Sequence, residues 1–355
     1  MKIFNKFWKV LAKRTKNIFI FLIFSMILGA VLETLGITLI LPLFSILLSD
    51  NFVLPKFILD IFPFLELSSH QDLIIYALTL FIFFYIFKSG YLAYLVYIQT
   101  KFVYSIQRSV STRLYRSYLN QPYGYHLQKN SAKIISNTIT ESMQFAMSFT
   151  APVIYLLTDI FIIIGIFTLL LIVEPFGAVS VLVIYFIGSL SLYLYSKNKS
   201  SRWGEARQEH EAKRIQTAQQ GISGIKDVKL YGFESVFSNY YSSSTGISLN
   251  AGRLQTTLQG MPKIFFELLT VLSLSALILS LYFSNTASED IISILGIFAM
   301  SAFKLLPSIS RLVSNIQALR FGIPVIDIIE KELDNEVVET RKTFIDRLNY
   351  SKSIN

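Results

Sequence analysis

The chain has no cysteine and little charge. Without cysteine, disulfides, thiolate-ligated zinc and thiol catalysis are excluded. Three scattered histidines, His70, His126 and His210, leave little from which to build a metal site. Charged residues make up 15% of 355, against about a quarter in an average soluble domain. No Gly-Lys dipeptide occurs anywhere, so the G-x-x-x-x-G-K-[ST] loop that cradles nucleotide phosphates is missing. No Ser/His/Asp set or paired-carboxylate site stands out either.

Apolar residues fill the space that charge leaves. They form 53% of the chain, phenylalanine alone counts 30, and the mean hydropathy is +0.53. A water-soluble core cannot absorb that much apolar surface, so the composition describes an all-α membrane protein that crosses the bilayer several times. Six stretches are long enough to span, near 18–48, 73–100, 149–173, 178–196, 254–283 and 291–310. Short connections at 174–177 and 284–290 tie four of them into hairpins. The helical pattern does not stop at the membrane edge. Residues 73–119 contain no proline and one glycine, and as one helix they reach about 70 Å at 1.5 Å per residue. Residues 178–220 behave alike, so long helical levers leave the membrane on one side.

The net charge of +9 is first a topology signal rather than a nucleic-acid footprint. The segments 1–17, 101–147, 197–253 and 311–355 carry 28 of the 32 Lys and Arg residues. The opposite segments, 49–72, 174–177 and 284–290, carry one basic residue, Lys56, and seven acidic ones. Basic segments stay in the cytoplasm, which places both termini and the levers there, in a bacterial-type inner (plasma) membrane. The N-terminal 1–17 alternates apolar Ile3, Phe4, Phe7, Trp8 and Leu11 with lysines at helical spacing. The expectation is a short amphipathic helix lying in the cytoplasmic membrane interface.

Ionisable residues inside the spans are costly, about 2.5–3.5 kcal/mol each at a helix centre, and so point to a bundle interior or a polar cavity. They are Glu33, Lys88, Asp159, Lys263, Glu267 and Lys304. Lys263 and Glu267 stand at i,i+4 and can neutralise one another. In the sixth span Ser301, Lys304, Ser308, Arg311 and Asn315 recur at steps of three and four, a single polar stripe on an apolar helix. Two cations on it imply an anionic visitor, or a carboxylate partner such as Glu33, Asp159 or Glu267.

The polar connections carry two further motifs. One runs from Leu119 through Pro122, Tyr123, Tyr125, His126, Asn130 and Ser131 to Glu141; the other runs from Gly221 through Gly224, Ile225, Lys226, Asp227, Val228, Lys229, Leu230 and Tyr231 to Glu234. At these turns the chain resembles the transmembrane domain of an ABC exporter over about residues 1–335. Ala132 stands where that family's first turn usually has glycine, and Asp227 where the second usually has glutamate. Leu32-Glu33-Thr34, Phe87-Lys88, Met261-Pro262-Lys263 with Glu267, and Lys304-Leu305-Leu306-Pro307-Ser308 with Arg311 resemble the lipid-linked oligosaccharide flippase branch in particular.

The resemblance implies six transmembrane helices with long cytoplasmic extensions and two coupling helices. It implies coupling to a nucleotide-binding domain through Tyr123, Tyr125, His126, Gly224, Asp227 and Tyr231. It also implies a head-group cavity with Lys88, Lys263, Lys304 and Arg311 facing a pyrophosphate, beside Glu33, Asp159 and Glu267 as acidic pairing residues. Lysine at three of these positions keeps the charge of the family's arginine but not its bidentate fork. An amphipathic segment at 51–67 corresponds to one that the family places near the lipid tail.

No L-S-G-G-Q-like signature occurs, and 335–355 reads as the start of a linker. ATP and Mg are therefore expected on a partner nucleotide-binding domain, no cofactor, metal or enzymatic activity is expected on this chain, and the working unit is expected to be a homodimer. Two alternatives stay open: an ABC exporter of peptide or other hydrophobic cargo, and a truncated, inactive transporter.

Overall fold

The computed structural model describes residues 2–11, 13–39, 70–173, 175–283 and 288–334. Helices run α1 (Lys2–Val10), α2 (Lys13–Thr38), α3 (His70–Leu119) and α4 (Tyr123–Gln128). Next comes α5, in which α-helical Ser131–Ser136, Ser142–Gln144 and Ala151–Val173 alternate with π-helical turns Asn137–Glu141 and Phe145–Thr150. Then follow α6 (Pro175–Ser223), α7 (Ile225–Tyr231), α8 (Glu234–Phe283) and α9 (Ser288–Asp334). No strand occurs among the described residues. The segments 51–67 and 335–355 lie outside them.

The levers are present. The helix α3 has 50 residues and α6 has 49, each about 75 Å long. The structure also lengthens what the hydropathy pattern truncated: the helix expected from 149 begins at Ser131, and the one expected to end at 310 continues to Asp334 through Pro307 and Pro324. Four stretches among the described residues are long and apolar enough to cross a bilayer: Thr15–Thr38, Ile74–Leu119, Ser131–Ile172 and Leu305–Leu333. The expected spans 178–196 and 254–283 are helical within α6 and α8.

The helix α2 lies between α3 and α5, while α9 packs on α5, α6 and α8. Two apolar clusters result. One centres on Phe7, Phe19, Phe102, Phe145 and Phe149 and includes Val325, Ile326 and Ile329 of α9. The other joins Ile37, Ile166, Tyr185, Phe266, Leu305 and Ile309. Glycine sets the closest crossings. A Cβ at Gly204 of α6 would run into the Phe321 carbonyl oxygen, and one at Gly322 of α9 would stand 2.6 Å from that of Ser148. Backbones meet there without side chains between them, tying α6, α9 and α5 into one layer.

The first helix differs from expectation in what its apolar face meets. Phe7, Val10 and Leu11 are buried in the protein, not turned out to lipid. The Phe7 ring lies 6.0 Å from Phe19 and 5.8 Å from Phe149. Arg113 Nη1 donates to the Val10 carbonyl at 2.9 Å. On the same helix Lys6 pairs with Asp327 at 2.7 Å and Glu330 at 3.0 Å, and Lys9 with Glu330 at 3.6 Å. Two lysines of the polar face are thus engaged by the end of α9. An aromatic cluster on three other helices offered the apolar face a drier partner than the membrane surface.

Candidate functional site

Two carboxylate–cation pairs sit at the level of the apolar spans. Glu33 and Gly36 are three residues apart on α2 and face α3, where Lys88 and Tyr85 are likewise three apart. Lys88 Nζ stands 2.8 Å from Glu33 Oε2, with the lysine side chain 3% exposed. A Cβ on Gly36 would lie 2.7 Å from that ammonium, so a side chain there would make the end of the lysine shift. The Tyr85 ring lies under the ammonium at 4.7 Å, and its hydroxyl donates to the Gly36 carbonyl at 3.2 Å.

The second pair joins α5 to α9. Arg311 Nε and Nη2 donate to Asp159 Oδ1 at 3.0 and 2.7 Å, and Nη2 also reaches Ser308 Oγ at 3.2 Å. The Asp159 side chain is 2% exposed, whereas that of Arg311 is 54% exposed. The carboxylate is a buried anchor for a guanidinium whose other edge faces outward. The two layers are neighbours: Thr34, next to Glu33, packs on Gly165. Gly165 is six residues along α5 from Asp159, about 9 Å.

The remaining expectations divide. Ser301 and Ser308 of the polar stripe are buried and Asn315 is half-buried, while the Lys304 side chain lies outside the described residues. Lys263 and Glu267 are both exposed, and no ion pair joins them. Their spacing permits contact, but exposed i,i+4 pairs gain only tenths of a kcal/mol and need not close. Lys88 requires a correction. The resemblance placed it in an open head-group cavity; it is enclosed between α2 and α3 with Glu33 as its counter-ion. The ion pair is drier than an open cavity and avoids a bare charge at membrane depth.

At the far end of the levers the two motif turns form short helices. In α4, Tyr123 is 77% exposed. Tyr125 turns inward, its hydroxyl donating to Glu332 Oε2 at 3.3 Å. Burial, with the Glu332 carboxylate beside it, pushes the Tyr125 phenol up to about 12. His126 Nε2 lies 3.0 Å from the Tyr118 carbonyl. The next helix is capped by Asn130, whose side chain accepts from the Ala132 amide at 2.9 Å.

The turn α7 starts after Gly224, carries Asp227 in its first turn, and ends at Gly232 in the left-handed region, φ 67°. The Phe233 amide returns to the Val228 carbonyl at 2.9 Å, closing a Schellman cap. Ile225, Leu230, Tyr231 and Phe233 are exposed around it.

Sequence spacing gave no role to a third feature between these levels. Arg207 Nη2 of α6 donates to Glu141 Oε2 of α5 at 2.9 Å, both side chains buried. One turn on, Glu211 accepts from Arg214 at 2.6 Å and from Ser248 of α8 at 3.0 Å. Glu141 stands in the π-turn at 137–141, which nothing in the sequence pattern reveals.

Long levers, two short capped turns and charged pairs at membrane depth are joined by one further finding. The family model for the ABC transporter transmembrane region matches residues 18–305. The chain belongs to that family. It is an ABC exporter membrane domain, all-α and membrane-spanning, and such domains generally pair with nucleotide-binding domains. The match includes both ion-pair helices of the first site, Asp159, and both capped turns.

Proposed function

We propose that this membrane domain moves an amphipathic anionic lipid, a lipid-linked saccharide by preference, across the inner membrane as half of an ATP-driven homodimeric flippase. The observation that carries the reading is the Arg311 guanidinium. A cation that is 54% exposed on an otherwise apolar helix, anchored from behind by a carboxylate 2% exposed, is a standing attractant for a phosphate-bearing head group. Apolar helix surface around it suits the tail. Nucleotide-binding domains, carrying ATP and Mg, dock on the α4 and α7 turns through Tyr123 and the exposed apolar residues near Tyr231. Their closure moves the long helices as levers.

The test is reconstitution in vesicles with the ATP-hydrolysing partner and a fluorescent polyprenyl-pyrophosphate sugar. Removing both charges, Asp159→Asn with Arg311→Gln, avoids stranding a buried carboxylate. The expected result is ATP-dependent flipping slowed by about tenfold, the factor that 1.4 kcal/mol represents, with membrane insertion unchanged. Equal flipping rates in the double variant and the wild type overturn the reading.

A further inference from the structure

We infer that Glu332 is a positioning residue that fastens the α4 turn to the cytoplasmic end of α9, so that a pull on the turn reaches the helix carrying Arg311. It rests on the reading above that a nucleotide-binding domain docks on α4, and it adds which helix receives the stroke.

Chain connectivity alone would send the stroke elsewhere. The turn lies between the end of α3 at Leu119 and the start of α5 at Ser131, so its covalent neighbours are those two helices. It is six residues long and none of them is buried. With so little apolar anchorage, its side-chain contacts decide what moves with it.

Those contacts converge on one carboxylate. The Glu332 side chain is 8% exposed. Its Oε2 accepts from the Tyr125 hydroxyl at 3.3 Å, and its Oε1 stands 3.6 Å from Nζ of Lys129, the residue that ends α4. Both oxygens face the turn and both partners belong to it, although Tyr125 and Glu332 are 207 positions apart. Lys129 also lies over the Tyr125 ring at 5.4 Å, and that ring stacks on Tyr118 of α3 at 6.4 Å. A buried carboxylate that loses its donors is left unpaired in a dry place, so this joint resists separation more than a surface pair does.

Beyond the joint α9 is a single helix. Val325, Ile326, Ile329 and Leu333 are buried in the first apolar cluster. Arg311 lies about 32 Å from Glu332 along the same helix, and Pro324 between them does not end it. Lys6 and Lys9 of α1 hold Glu330, which points about 200° around the helix from Glu332. The end of α9 is thus gripped from two sides.

The experiment uses the complex with the ATP-hydrolysing partner in nanodiscs. The chain has no cysteine, so Tyr104→Cys on α3 and Lys331→Cys on α9 take one pair of spin labels. A non-hydrolysable ATP analogue with Mg is added, and the label distance reports movement of α9 against α3. In the otherwise wild-type chain the analogue brings up a second, shifted distance. In Glu332→Ala the shifted fraction falls about fivefold, the low end for coupling between two sites. Partner affinity, measured on the same nanodiscs, is unchanged. Should Glu332→Ala not fold, Tyr125→Phe/Lys129→Met removes the same two contacts from the turn and shows the same loss of shift.

A shifted fraction equal to wild type in either variant overturns the inference. So does a loss no larger than the fall in partner binding, which a merely structural hold on α4 would give. A wild type that binds the partner and shows no second distance overturns it as well. Absence of partner binding by the wild type instead overturns the docking reading beneath it.

Discussion

The two ion pairs at membrane depth use the same chemistry and face different surroundings. In both, the carboxylate is buried, at 11% exposure for Glu33 and 2% for Asp159. The cations part company: Lys88 is 3% exposed and Arg311 is 54% exposed. The difference is that the presence of a counter-ion does not fix the exposure of the cation: one is enclosed between two helices and the other is exposed on the chain. One pair is closed, the other is an anchored cation.

The comparison breaks most sharply on single charge removals at the closed pair. Lys88→Met strands the Glu33 carboxylate between α2 and α3 and destabilises by about 3–5 kcal/mol in detergent unfolding titrations. Adding Glu33→Gln restores most of the loss, since neither charge is then uncompensated. Additive losses would mean the two residues act separately.

The open pair is expected to be lopsided. Arg311→Gln leaves Asp159 buried without its donor and costs about 3 kcal/mol, whereas Asp159→Asn leaves a guanidinium that is already 54% exposed on the chain and costs about 1 kcal/mol. Equal losses at the two ends, measured the same way, would remove the distinction between the pairs.

A smaller effect separates two glycines of neighbouring helices. Gly36→Ala displaces the flexible end of Lys88 and costs at most about 1 kcal/mol, while Gly90→Ala, with nothing within 4 Å, stabilises by up to about 1 kcal/mol. Thermal unfolding of both variants in one detergent reads the contrast.

The smallest effect lies at α1. Hydrogen bonds to Asp327 and then Glu330 hold the Lys6 ammonium above its ordinary value of 10.5. The contribution is complete below that pH and fades as the pH rises past it. With Lys6 a third exposed it amounts to about 0.2–1 kcal/mol. Between pH 9 and 12 the wild type should lose more stability than Lys6→Met, by that amount.

Much of the architecture was readable in advance. The unbroken pattern at 73–119 gave the lever α3, and 178–220 gave α6. The two motifs at 119–141 and 221–234 marked the turns, while the caps at Asn130 and Gly232 came from the structure. The polar stripe through Ser308 and Arg311 marked the helix face that meets Asp159. Pairing was harder. The one pair that spacing suggested, Lys263 with Glu267, does not close. The pairs that form join residues 55 and 152 positions apart, Glu33 with Lys88 and Asp159 with Arg311. The amphipathic pattern of α1 was right and its partner wrong, because a pattern shows that a face is apolar without naming what covers it.

Composition and periodicity by themselves determined an all-α chain in the membrane, its long helices and the faces that carry charge. These follow from the bilayer's demand that backbone hydrogen bonds close within each helix. Only the tertiary structure decided which carboxylate answers which cation, that α1 lies on α9, and that Lys88 is shut in while Arg311 stands open. Those outcomes depend on which helices touch and how closely, and the close approaches are set at single atoms, such as the missing Cβ of Gly36.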